Sequence, residues 1–141
     1  MHKISWTGPR LFVIVGSNDS PLYEHGFVTQ KESAYMAQFI LHAALDLVDE
    51  MQWKSTTTFL RTVDKYNDLF ISAYVTPGGV RFLLLHEAKN EEAVKSFFVE
   101  VHELYIRVLL NPFYEAGTRI KSPSFDSRVK LIAQSHLRGG K

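Results

Sequence analysis

Pro77-Gly78-Gly79 stands between two extended apolar runs, Leu69 to Thr76 and Val80 to Glu87, and ties them into an antiparallel hairpin. Proline presets the φ angle of the first turn position, and glycine accepts the positive φ that closes such a turn. A second pair opens the chain. Leu11-Phe-Val-Ile-Val15 is a β-branched and aromatic run that ends in Gly16-Ser-Asn-Asp-Ser-Pro21, a dense turn signal, and Leu22 to Val28 resumes as a strand. Phe59 to Asp64 adds one more run. Five strands joined largely as hairpins make one mostly antiparallel sheet, which needs helices to cover its apolar faces.

Three segments supply those helices. Ser33 caps a helix from Ala34 to Trp53, about 30 Å long at roughly 1.5 Å per residue, which breaks at Ser55-Thr-Thr-Thr58. Asn90 caps a second, with Glu91 and Glu92 at the positive end of its dipole, and this one stops at Leu110 before Pro112. Ser122-Pro123 opens the last with proline at its first position, and it continues to Leu137. The order β-β-α-β-β-β-α-α predicts an α+β fold in one domain, residues 10–138, with a short extension at 1–9 and a tail at 139–141. The one long irregular stretch is Asn111 to Lys121, about the length limit for an ordered functional loop.

The first long helix carries more grease than one sheet can cover. Met36, Ala37, Ile40, Leu41, Ala43, Ala44, Leu47, Val48 and Met51 form the arc expected to pack on the sheet. Gln38, His42, Asp46, Asp49, Glu50 and Gln52 fall opposite, yet Tyr35, Phe39, Leu45 and Trp53 lie among them. Two readings stand: contact with a partner, since aromatics are enriched at interfaces, or packing beneath the Asn111 to Lys121 loop. The second long helix repeats the pattern. Val99, Ile106 and Leu110 form a stripe apart from its core arc of Ala93, Val94, Phe97, Phe98, Val101, Leu104, Tyr105 and Val108. Either a partner or the third helix, through Phe125, Val129, Ile132 or Ala133, covers that stripe.

Charge and chemistry narrow the function classes. Sixteen Lys and Arg against fifteen Asp and Glu leave a formal charge of +1, which argues against a dedicated nucleic-acid binder. With no cysteine, disulfides, thiolate zinc sites and cysteine nucleophiles are excluded. No stretch approaches the ~20 apolar residues of a membrane span, and the run after the polar amino terminus is too short for a secretory signal. A soluble intracellular protein is expected, touching membranes only through a partner. His86-Glu87 and His102-Glu103 begin like the zinc-protease pattern, but the second histidine is replaced by Asn90 and by Ile106. Nucleophile elbows, phosphate loops and dinucleotide fingerprints are missing. His42 and Asp46, one helical turn apart, can pair, but no nucleophile stands beside them. No catalytic residue, metal ligand or cofactor is expected.

Six segments in order give the chain a relative: Phe12-Val-Ile-Val-Gly16, Gln38-Phe-Ile-Leu-His-Ala-Ala-Leu-Asp-Leu-Val-Asp-Glu50, Thr62-Val-Asp-Lys-Tyr-Asn67, Arg81-Phe-Leu-Leu-Leu-His86, Asn111-Pro-Phe-Tyr-Glu115 and Ser124-Phe-Asp126. Across residues 10 to 137 the chain resembles the sedlin family, the small subunit 2 of the TRAPP vesicle-tethering complex. The intact His42 to Glu50 segment favours sedlin proper over its sedlin-like paralogue. The resemblance implies a longin (profilin-like) fold, a five-stranded antiparallel sheet with one helix on one face and two on the other. It implies a non-catalytic adaptor within an assembly that promotes nucleotide exchange on a Rab GTPase and tethers vesicles between endoplasmic reticulum and Golgi. Its direct partners would be a TRAPP core subunit and larger complex-specific subunits, with the Rab GTPase reached only through the complex. It would be cytoplasmic, peripheral to ER-Golgi intermediate and Golgi membranes, and perinuclear. Asp46 is the residue that the resemblance marks for partner attachment. Tyr35, Phe39, His42, Leu45 and Trp53 are expected beside it, with Val99, Ile106 and Leu110 on a second face. The alternatives are an enzyme or small-ligand site around His42 and Asp46, and a stand-alone longin-type regulator that binds a SNARE-like peptide.

Overall fold

The computed structural model describes residues 9–26, 31–54, 59–66, 69–86 and 91–137, without the side chains of 9, 31–38, 53, 54, 61, 64 and 66. The elements are β1 (Pro9–Val15), β2 (Pro21–Gly26), α1 (Lys31–Lys54), β3 (Phe59–Tyr66), β4 (Leu69–Val75), β5 (Arg81–His86), α2 (Glu91–Leu110) and α3 (Pro123–His136). All the strand pairs are antiparallel, in the spatial order β2-β1-β5-β4-β3. The α+β fold, the five strands and the element order are those expected from sequence. Asn90 and residues 27–28, expected as a cap and a strand end, lie outside the described residues. Ser33 is a correction: α1 is already helical at Lys31, so Ser33 lies in the first turn and does not cap it.

Side-chain alternation splits the sheet into two cores. Phe12, Ile14, Tyr74, Phe82 and Leu84 point towards α2 and α3, where they meet Phe97, Phe98, Val101 and Phe125. Leu11, Val13, Val15, Ile71, Ala73, Leu83 and Leu85 point to the other side and meet Ile40, Leu41, Ala44 and Val48 of α1. With both faces covered, β1 and β5 read as unbroken apolar runs. One helix therefore lies on one face and two on the other. The α2–α3 side is rich in rings: Phe12 sits edge-on to Phe97 at 5.0 Å and Tyr74 stacks on Phe82 at 5.5 Å.

Both tight hairpins share one construction. In the Pro77-Gly78-Gly79 turn, Gly79 N donates to the Thr76 carbonyl, Thr76 N donates to Val80 O, each at 2.9 Å, and Gly79 takes φ +88°. In the β1–β2 turn Asp19 holds the equivalent place at φ 69°, a position aspartate tolerates through local hydrogen bonding. α3 starts as its sequence dictates, with Ser122 Oγ accepting from Phe125 N at 3.2 Å and Pro123 in the first turn.

His102 on α2 is hydrogen-bonded to the Tyr74 hydroxyl at 2.8 Å. Burial holds its pKa below the ordinary 6.5, outweighing the opposite pull of Glu103. A lowered folded pKa favours the neutral ring, so this stabilisation is full above the ordinary value and is lost as pH falls through the folded one. His25 is shifted down for the same reason, burial outweighing the attraction of Asp126. Stability is therefore expected to decline as pH falls below the ordinary histidine value of 6.5, and His102→Gln should flatten part of that slope, as read from urea midpoints at neutral and at mildly acidic pH.

Candidate functional site

The outward arc of α1 collects Phe39, His42, Ala43, Asp46, Leu47 and Glu50, all exposed. Phe39 is 71% exposed, unusual for a phenylalanine on an ordered helix. His42 and Asp46, one turn apart, do not pair, and neither side chain forms a hydrogen bond or ion pair with another described residue. The Asn111 to Lys121 loop lies with α2 and α3 on the opposite face of the sheet, where Ile120 N donates to Leu22 O at 2.8 Å, so it does not cover this arc.

Two expectations for α1 are corrected. Leu45 is half-buried and packs against the core with Met51, whereas Leu47 and Ala43, assigned to the core arc, are exposed. α1 packs most closely on β3 and reaches across to β1, β4 and β5. Which arc of the helix is buried depends on the strands beneath it, and the periodicity of the helix alone does not carry that phase. The side chains of Tyr35 and Trp53 lie outside the described residues.

A buried cation sets the roll of α1. Arg81, at the start of β5, is 4% exposed. Its Nη1 donates to Asp49 Oδ1 of α1 at 2.7 Å, and its Nη2 donates to the Gly16 carbonyl at 2.6 Å and to the Asp19 carboxylate. Asp49 thus faces inward to Arg81 while Asp46, three residues earlier, stays unpaired among the described residues. Sequence reasoning placed both on one solvated face. The only local signal was an arginine opening a strand of otherwise apolar residues.

On the far side of the sheet, Val99, Ile106 and Leu110 of α2 are exposed, and Leu110 is 76% exposed. α3 does not cover them. It lies alongside α2 with Phe125, Val129 and Ala133 buried in the core, and His136 Nε2 meets Glu100 Oε2 at 2.5 Å. Asp126 anchors α3 to β2 by accepting from the Tyr23 hydroxyl at 2.6 Å, with Lys130 Nζ 3.4 Å away. That hydrogen bond holds the Asp126 carboxyl below its ordinary value, and burial with the same bond pushes the Tyr23 phenol far up. Ser124-Phe-Asp126 is therefore a docking motif for α3 itself.

A cleft of about 780 Å³ lies between α2, α3 and their connecting loop and one of about 550 Å³ between α2 and α3, and neither is lined by His42 or Asp46. The His42–Asp46 surface is the outer face of a helix, suited to a broad contact with another protein. Among the described residues no group of three or more His, Asp or Glu could hold a metal, and no helix is long and apolar enough to cross a membrane.

A family model described as sedlin matches residues 14–135. The chain is 42% identical over 132 residues to the probable trafficking protein particle complex subunit 2 of Drosophila melanogaster, covering 89% of this chain and 95% of that protein. It is 42% identical over 130 residues to the transport protein particle 20 kDa subunit of Schizosaccharomyces pombe, covering 88% and 96%. The trafficking protein particle complex subunit 2-like protein of Bos taurus is 28% identical over 127 residues, covering 82% and 90%. With the α+β architecture, the six ordered segments and this match along most of its length, the chain belongs to the sedlin family.

Proposed function

We propose that this chain is a non-catalytic adaptor subunit of a TRAPP-type vesicle-tethering complex in endoplasmic reticulum to Golgi transport. The observation that carries this reading is the uncovered arc of α1, where an exposed aromatic, Phe39, sits with Asp46 and His42, neither bonded to any other described residue. The stripe Val99, Ile106 and Leu110 is a second contact face, and the two lie on opposite sides of the sheet. That disposition lets one small domain join two neighbours without their touching. The neighbours are a TRAPP core subunit and the larger complex-specific subunits. A Rab GTPase engages the assembled complex, whose exchange activity this chain supports indirectly. The protein is cytoplasmic and peripheral to ER-Golgi intermediate and Golgi membranes in the perinuclear region, reaching them through the complex.

Phe39 is the aromatic anchor of the first face. Phe39→Ala should weaken binding of a large TRAPP subunit by about 1–2 kcal/mol or more, roughly fivefold to thirtyfold or more. The melting temperature should stay nearly unchanged, since an exposed side chain adds within about 0.5 kcal/mol to stability. Titration calorimetry with the purified partner, beside a thermal melt, separates the two. Equal affinity for wild type and variant would remove Phe39 from the contact.

A further inference from the structure

The larger cleft has a chemistry that neither proposed face uses. It lies between the carboxyl end of α2, the Asn111–Lys121 loop and the amino end of α3, with a volume of about 780 Å³. Arg107, Arg119, Lys121 and Arg128 line it against a single carboxylate, Glu115. The whole chain carries only +1, so with four cations and one carboxylate in the cleft the remainder is net acidic. All four cations are exposed, and none forms a hydrogen bond or ion pair with another described residue. Arg81, by contrast, pairs with two aspartates and Lys130 with Asp126.

The same cleft has apolar walls. Leu104 and Val108 are half-buried along one side, and Phe113 stands on the rim 95% exposed. Phe113 is held there by an ordered turn. Its N–H donates to Asn111 Oδ1 at 3.0 Å, Tyr114 N donates to the Asn111 carbonyl at 3.0 Å, and the Tyr114 hydroxyl donates to Thr118 O at 2.5 Å. A rim already fixed by its own hydrogen bonds loses little further freedom when a ligand arrives.

We propose that this cleft docks an acidic peptide segment of a partner protein, with an apolar side chain set among its carboxylates. The four cations complement the carboxylates, and Leu104, Val108 and Phe113 receive the apolar side chain. A bare polyanion would leave that apolar wall and the exposed Phe113 unused, which favours a peptide over a phosphorylated headgroup. The proposal rests on charge, shape and the fixed turn, and stands whether or not α1 meets a TRAPP subunit.

The test is fluorescence anisotropy of labelled peptides in which one leucine or phenylalanine is flanked by glutamates and aspartates. Saturable binding is expected, weakened by salt. It should fall about tenfold or more in Arg107→Gln/Arg128→Gln and in Arg119→Gln/Lys121→Gln, and several-fold in Phe113→Ala. Lys95→Gln, at an exposed cation of α2 outside the cleft, should bind nearly as wild type does. A glutamine-for-glutamate peptide should not bind, and an all-acidic peptide lacking the apolar residue should bind several-fold more weakly. Circular dichroism checks that each variant is folded. The proposal is overturned if no peptide of the series saturates, if the all-acidic peptide binds equally well, or if the four cations can be replaced without loss. It is also overturned if vesicles containing a phosphoinositide bind with this residue dependence while the peptides do not.

Discussion

Asp19→Asn/Asp49→Asn should destabilise the fold by about 3 kcal/mol, the lower end of the range for breaking a buried ion pair, because both carboxylates are partly solvated. For a domain of this length that corresponds to a fall in melting temperature of about 10 °C. The cost falls on the arginine. Arg81 keeps its charge at any accessible pH, is sealed from water, and already has its Nε buried without a partner among the described residues. Asparagine at 19 and 49 can still accept through its amide oxygen, but no counter-charge remains beside the guanidinium, whose other acceptor is the neutral Gly16 carbonyl. Arg81→Met removes the buried charge and leaves two carboxylates that water can reach, at 70% and 47% side-chain exposure, so it should cost clearly less than the double variant. Urea denaturation of the three proteins decides the matter. Equal losses in the double variant and in Arg81→Met would mean the clamp holds through packing alone. Because Asp49 sits between Asp46 and Glu50, loosening the clamp would also let α1 roll and disturb the face that carries Asp46.

The parts of this fold that were legible in the sequence are those written in local chemistry. Pro77-Gly78-Gly79 specifies a turn, Ser122-Pro123 specifies a helix start, and alternation or 3.6-residue spacing specifies the element between turns. The phase of a helix on its sheet is not local. Leu45 and Leu47 flank the buried arc of α1 on either side, and which one turns inward depends on the strand beneath. The Arg81–Asp49 pair joins positions 32 residues apart, and Tyr23 meets Asp126 across 103. Neither leaves a spacing that can be read along the chain. The basic cleft was hidden for a related reason: its four cations come from α2, the loop and α3, so no run of positive charge marks it. Phe39, Val99, Ile106 and Leu110 were legible because an apolar residue on a polar helical face needs only the helix to be noticed.

Asp46→Lys bears hardest on the adaptor reading. The side chain is exposed, forms no bond with another described residue and lies on a regular helix, so lysine, itself a good helix former, should leave the fold intact. In a docked interface the same change places a cation where the partner presents groups suited to a carboxylate. Like-charge juxtaposition of that kind costs several kcal/mol, or a loss of affinity of a hundredfold or more on the order-of-magnitude scale. The decisive measurement is co-purification of the large TRAPP subunits with tagged wild-type and Asp46→Lys chains, alongside circular dichroism of each. Loss of those subunits from a variant with a wild-type spectrum and melt is the expected result. Undiminished recovery, or a variant that unfolds, would show that Asp46 is not a surface contact of this subunit.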